Sequence, residues 1–126
     1  DCSRTEFEAF WAVSLPSYVL FFNSGSSFPM MNGKESYSLY DKSGSVLDGP
    51  SIAMKAKHCY QRKDPVAAAG LPASWADFDD GGVPDIANPG SGAPKGNSLF
   101  ISEFCDVLTK GAFKYEFVEI KLGSTL

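Results

Sequence analysis

Apolar residues recur at every second position over short runs of this chain, and turn-forming residues separate the runs. Over residues 5–13, Phe7, Ala9, Trp11 and Val13 fall on one face of an extended backbone and Glu6 and Glu8 on the other, the pattern of a half-buried strand. Leu15-Pro16 ends that run, and residues 17–22 read as a second strand. Asn23-Ser24-Gly25-Ser26-Ser27 reads as a loop, and Asn32-Gly33 as a turn, because both residues tolerate positive φ. Alternation resumes over residues 36–40, passes the turn Asp41-Lys42-Ser43-Gly44 and continues through 45–47, which predicts a hairpin. After Asp48-Gly49-Pro50, residues 51–62 look extended with a basic outer face.

The character changes at Lys63. Residues 63–97 carry five of the eight prolines and many of the glycines, and read as one long irregular connection anchored in the core by Trp75. The two best strands follow at residues 99–105 and 114–121, with Gly111 in the turn between them. In the last strand Val118 and Ile120 share one face while Tyr115 and Phe117 share the other, which suggests a central strand, buried on both sides or lying at an interface. About seven strands in a hairpin rhythm predict an all-β, immunoglobulin-like β-sandwich in a single domain over residues 1–126. Its expected parts are sandwich strands in 1–62, the connection in 63–97 and a strand hairpin in 98–121. The expected core is Trp11, Phe21, Leu39, Trp75, Ile101, Val118 and Ile120.

Composition narrows the function. Apolar residues make up 44% of the 126 and aromatics 13%, so the chain carries enough bulk for a packed core. A net charge of −4 argues against nucleic acid as a partner. The longest apolar run, Tyr18 to Phe22, is far short of the ~20 residues of a membrane span. Lys55, Lys57, His58, Arg62 and Lys63 form a local basic stretch, and Asp77, Asp79, Asp80 and Asp85 an acidic one; both read as solvated edges. The chain starts at Asp1 without a signal-like segment and is expected to be a processed or excised unit.

Little chemistry is legible. A histidine-based triad would have to use His58, with no marked serine partner, and His58-Cys59 places its two side chains on opposite faces of a strand. No enzyme activity is expected. Asp77-Phe78-Asp79-Asp80-Gly81-Gly82 sets hard oxygen ligands beside glycines, so Asp77, Asp79 and Asp80 are candidate calcium ligands, against a plain acidic turn. Glu103, Glu116 and Glu119 lie in alternating strands and are expected to face outward. No Asn-x-Ser/Thr acceptor occurs, while O-linked glycan on the serine-rich loops stays open.

Several short motifs together resemble the lamin tail domain: Ser38-Leu39-Tyr40-Asp41 with Gly44 and Asp48, Tyr60-Gln61-Arg62, Trp75, Asn88-Pro89-Gly90, Ile101-Ser102-Glu103 and Glu116-Phe117-Val118-Glu119-Ile120. The resemblance implies an immunoglobulin-like sandwich without catalysis, used as a structural or interaction module. Its order is rotated here, since the family's opening strands follow its closing motif. The domain is then circularly permuted, one period of a tandem repeat, or a body whose terminal strands complete a neighbour.

These features lead to the expectation of a structural protein that self-associates by strand exchange into an extracellular or cell-surface fibre. The expected interface residues are Leu99, Ile101, Phe104, Phe117, Val118 and Ile120. The alternative is a monomeric binding module that holds a protein or glycan through residues 63–97. Of three cysteines, Cys2 and Cys59 are the preferred disulfide, because Cys105 belongs to the strands assigned to a neighbour. In an intracellular location all three would be small buried residues.

Overall fold

The computed structural model describes residues 2–28, 31–78, 99–106 and 113–122. Among them stand six strands in two antiparallel sheets and one α-helix. A two-stranded sheet pairs β1 (Leu39–Tyr40) with β2 (Val46–Asp48). A four-stranded sheet runs in the order β4, β3, β5, β6, from β3 (Cys59–Arg62), β4 (Trp75–Phe78), β5 (Leu99–Cys105) and β6 (Phe117–Leu122). The hairpin expected around residues 41–44 is present: Asp41 Oδ1 accepts from the backbone N–H groups of Ser43 (2.8 Å) and Ser45 (3.0 Å).

The first predicted strand is instead α1 (Arg4–Trp11). Its start is a capping box, in which Ser3 Oγ accepts from Glu6 N–H (3.2 Å) and Glu6 Oε2 accepts from Ser3 N–H (2.8 Å). Arg4 pairs with Glu8 one turn on at 3.2 Å, and Ala12 closes the helix with φ 53°. Phe7 and Trp11, four residues apart, are its buried side chains, so their spacing serves a helical face rather than a strand. The second predicted strand, residues 17–22, is not formed: Ser17 and Tyr18 lie in a turn closed by Val19 N–H donating to the Pro16 carbonyl (3.0 Å), and residues 19–22 belong to neither sheet.

The larger sheet is covered on both faces. Adjacent residues point to opposite sides: Cys59, Cys105 and Phe117 join Cys2, Phe7, Trp11 and Leu15 in a cluster beside α1. Tyr60, Trp75, Ile101 and Phe104 join Met31, Met54 and Ala69 in a second cluster, against which Tyr37, Leu39 and Val118 pack. The last strand is not central: β6 is the outer strand of this sheet among the described residues, with Phe117 buried in the first cluster, Val118 partly buried against the second and Ile120 and Leu122 exposed. The core expectation holds for Trp11, Trp75 and Ile101, whereas Phe21, Leu39 and Val118 are partly buried and Ile120 is exposed.

Arg62 corrects the expectation of a solvated basic edge. It is buried, and its guanidinium grips both oxygens of buried Asp48, Nη1 to Oδ2 at 2.9 Å and Nη2 to Oδ1 at 3.1 Å. Further donation goes to the carbonyls of Ile101 (3.2 Å) and Ala67 (3.2 Å), and the group lies 4.9 Å from the centre of the Trp75 ring. Ile101 N–H donates to Asp48 Oδ2 at 2.9 Å, so one ion pair joins β2, β3 and β5. Gly49 follows Asp48 with φ 108°, and a Cβ there would stand 2.7 Å from Ser38 Cα, so only glycine fits this turn.

Candidate interaction surfaces

The hairpin of β5 and β6 supplies the residues expected to meet a neighbour, and they divide. Ile101, Phe104 and Phe117 are buried in the chain's own two clusters. β5 pairs with β3 of the same chain, setting Tyr60 opposite Phe104 and Gln61 opposite Glu103. Leu99 (41% exposed) and Ile120 (50%) reach solvent, together with Leu122 (64%). Leu99 faces Leu122 across the two strands and Ile101 faces Ile120, so these apolar groups form a contiguous step at the end of the sheet. Among the described residues β6 is hydrogen-bonded to a strand on one side only.

The disulfide also differs from the expected Cys2–Cys59 pairing. Cys59 and Cys105 lie directly opposite each other on β3 and β5 and are bonded, with Cα atoms 4.0 Å apart. Strand register decides the matter, because opposed residues on paired strands share a face and their Cβ atoms are near neighbours. Cys2 is a buried free thiol just before α1, and burial raises its pKa.

A second apolar surface lies beside α1. In the segment 17–22, Val19 and Phe21 pack against the helix cluster. Tyr18 (82% exposed), Leu20 (78%) and Phe22 (83%) turn outward. Arg4 fastens the segment, donating from Nη1 to the Val19 carbonyl (2.8 Å) and from Nη2 to those of Leu15 (2.7 Å) and Pro16 (2.9 Å).

Three polar groupings complete the picture. His58, buried, donates from Nδ1 to Asp77 Oδ1 at 2.6 Å. Asp77, the one described member of the candidate calcium set, is thus engaged by an imidazole; Asp79 and Asp80 lie outside the described residues. Among the described residues no group of three or more Asp, Glu, His or Cys is placed to hold a metal ion. Beside this pair opens a cleft of about 460 Å³ lined by Ile52, Lys55, Tyr60, Pro72, Trp75 and Asp77, among others.

The last grouping is acidic. Asp106 Oδ2 accepts from Lys57 N–H at 2.6 Å. Glu116, half-buried, is pushed up to about 8 by burial, by a hydrogen bond with Asp106 and by the charges of Asp106 and Glu35. Tyr37 is raised by burial and by the same three carboxyls. The expectation that the late glutamates face outward fails most clearly at Glu103, which is fully buried on β5, while Glu119 is partly buried and takes a hydrogen bond from Ser102 Oγ. No described helix is long and apolar enough to cross a membrane. Comparison of the chain with known protein families, with curated proteins and with solved structures finds no match.

Proposed function

We propose that this domain is a non-enzymatic structural protein that joins copies of itself, with the solvent-facing end of the β5–β6 hairpin as the joining surface. The observation that carries the reading is the apolar step of Leu99, Ile120 and Leu122 on a strand with one described strand neighbour. An exposed strand edge bearing apolar side chains invites a further strand, whose backbone bonds give affinity and whose side chains give register. Simple addition to this edge is favoured over exchange of the hairpin, because exchange would have to break the Cys59–Cys105 bond and the pairing of β5 with β3. The disulfide supports an oxidising, extracellular or cell-surface location. Two antiparallel sheets and the burial of Tyr60 and Arg62 in β3 support, for the architecture, a sandwich of the lamin tail type.

A second reading, a binding module, is favoured by the cleft beside the His58–Asp77 pair. Sedimentation velocity of the full chain across about 1–100 µM, the range of weak specific association, separates the two. Self-association that is weaker in the Ile120→Lys/Leu122→Lys variant than in wild type is the expected outcome. A protein that stays monomeric, or whose association ignores these changes, would refute the joining role of the hairpin.

A further inference from the structure

We infer that the joining contact is two-fold: β6 of one copy pairs antiparallel with β6 of a second copy, with Ile120 opposite Ile120 and Glu119 opposite the partner's Lys121. The inference rests on the reading of the β5–β6 hairpin as the joining surface, and gives that surface its partner strand, its register and its symmetry.

The direction of the backbone groups decides which residues can pair. Ser102 Oγ on β5 donates to the Glu119 carbonyl at 3.2 Å, so that carbonyl faces β5. On the other side of β5, Asp106 N–H donates to the His58 carbonyl at 3.1 Å. Alternation then turns the backbone groups of Phe104 and Asp106 toward β3 and those of Glu103 and Cys105 toward β6. Glu103 stands opposite Glu119, and Cys105 opposite Phe117. The N–H and C=O groups of Phe117, Glu119 and Lys121 thus face into the sheet, while those of Val118, Ile120 and Leu122 point out of its edge. Among the described residues no strand meets them there.

Side chains follow the same alternation. Phe117 lies in the first cluster and Val118 packs against the second, so Val118, Ile120 and Leu122 share one face, and Phe117, Glu119 and Lys121 the other.

Charge then selects the register. A second β6 can bond this edge only where its own outward residues stand opposite Val118, Ile120 and Leu122. Centred on Ile120, a two-fold pairing sets Ile120 opposite itself and Val118 opposite the partner's Leu122 on either side. The same register puts Glu119 opposite the partner's Lys121 twice over. One face of the seam is then apolar, and is extended by Leu99 opposite Leu122 within each copy; the other face carries two pairs of opposite charge. Moving the centre by one residue, to Glu119 or to Lys121, opposes two glutamates or two lysines, and like charges directly opposite destabilise a strand pair. The strand is therefore complementary to itself in one register and discriminates against the nearest others.

A two-fold contact of this kind closes on itself. It would give a dimer with one continuous sheet in the order β4, β3, β5, β6, β6, β5, β3, β4. A seam made of one strand edge and its flanking side chains lies at the low end of interface sizes, and the dimer is accordingly weak and reversible.

The test reads charge and register separately. Sedimentation equilibrium of the full chain over about 1–100 µM should show wild type passing from monomer to dimer. Glu119→Lys and Lys121→Glu each oppose like charges twice in the seam, and each alone should raise the dimer Kd about tenfold. An equimolar mixture of the two variants should dimerise as well as wild type, because a chain with two lysines then faces a chain with two glutamates. Such recovery cannot come from a chain that has failed to fold. As a second measure, Ile120→Cys and Leu122→Cys are compared under mild oxidation, with wild type and its buried Cys2 thiol as the blank. Across the two-fold axis residue 120 meets its own copy at a Cα separation of about 5.5 Å, within disulfide reach. Residue 122 lies about 14 Å from its copy, four strand positions away. Ile120→Cys should therefore form covalent dimers and Leu122→Cys should not, although Leu122 is the more exposed of the two (64% against 50%).

The two-fold seam is overturned if the charge reversals leave association unchanged, if the mixture fails to recover it, or if Leu122→Cys links as fast as Ile120→Cys. The hairpin still joins copies in those cases if Ile120→Lys/Leu122→Lys weakens association. Growth beyond dimers that is weakened by the lysine pair but indifferent to the charge reversals would mean that β6 meets a different strand of the next copy, and would also overturn the seam. A wild-type chain that is monomeric throughout refutes both readings.

Discussion

Replacing Asp48 by alanine should be among the most damaging single changes available in this protein. The carboxylate receives three charge-assisted or buried donors: Arg62 Nη1 at 2.9 Å, Arg62 Nη2 at 3.1 Å and Ile101 N–H at 2.9 Å. Its removal leaves the guanidinium buried, with three carbonyls and a tryptophan face near it but no counter-charge in that grip. Breaking one side of a buried pair costs ~3–5 kcal/mol, most of it the penalty of an uncompensated charge. Against a total stability of about 5–15 kcal/mol for a domain of ordinary size, that is from about a fifth to the whole. With a urea m-value of ~2 kcal/mol/M, the midpoint should fall by about 1.5–2.5 M. Removing both partners separates the charge penalty from lost volume: Asp48→Leu/Arg62→Met should recover at least half of the loss. A midpoint shift below ~0.5 M for Asp48→Ala, which that m-value makes ~1 kcal/mol, would refute the argument. So would a double variant no more stable than the single one.

Three further outcomes are expected. Glu116 carries a folded-state pKa raised from 4.5 to about 8, so between those values the folded state holds more protons than the unfolded one. Stability from this group is therefore fully present below about pH 4.5, declines as pH rises and is gone above about pH 8; Glu116→Gln should flatten that limb of a urea-midpoint against pH curve, and an unchanged slope would count against the Asp106–Glu116 contact. Non-reducing peptide mapping should recover a Cys59–Cys105 peptide and a free Cys2 thiol, and Cys59→Ser should cost ~2–4 kcal/mol in urea unfolding for a loop of this length; a Cys2–Cys59 peptide would restore the other pairing. Trp11→Ala and Trp75→Ala, one on each side of the large sheet, should each cost ~3–5 kcal/mol, and a loss under ~1 kcal/mol by denaturant melts would show that the corresponding cluster is not a core.

The hairpin of β5 and β6 was the most legible part of the sequence, because its alternation is strict and both faces are bulky. The helix was misread for a physical reason. Phe7, Ala9, Trp11 and Val13 satisfy a period of two, while Phe7 and Trp11 also satisfy a helical turn, and the decision falls to the capping box of Ser3 and Glu6. Residues 17–22 carry an apolar run that reads as a strand, yet they open in a turn and join no sheet, because nothing local specifies whether such a run finds a neighbour. Arg62 was hidden by its company: it sits among exposed lysines, and its partner Asp48 comes from a turn fourteen positions earlier. The disulfide and the exposed apolar rows depend on register and on long-range covering, which no window of residues encodes.

The covalent link between β3 and β5 changes what a protease can do to this protein. Cys59 lies before residues 79–98 in the chain and Cys105 after them. A single cut anywhere in that stretch therefore divides the backbone without separating the pieces. The nicked molecule would keep the mass of the whole, give or take a water, until a reductant is added. Its two fragments would still share the large sheet, since β3 and β4 come from one fragment and β5 and β6 from the other. Proteolytic damage there would leave both halves of the large sheet on one particle, and a reductant would remove the covalent part of that hold.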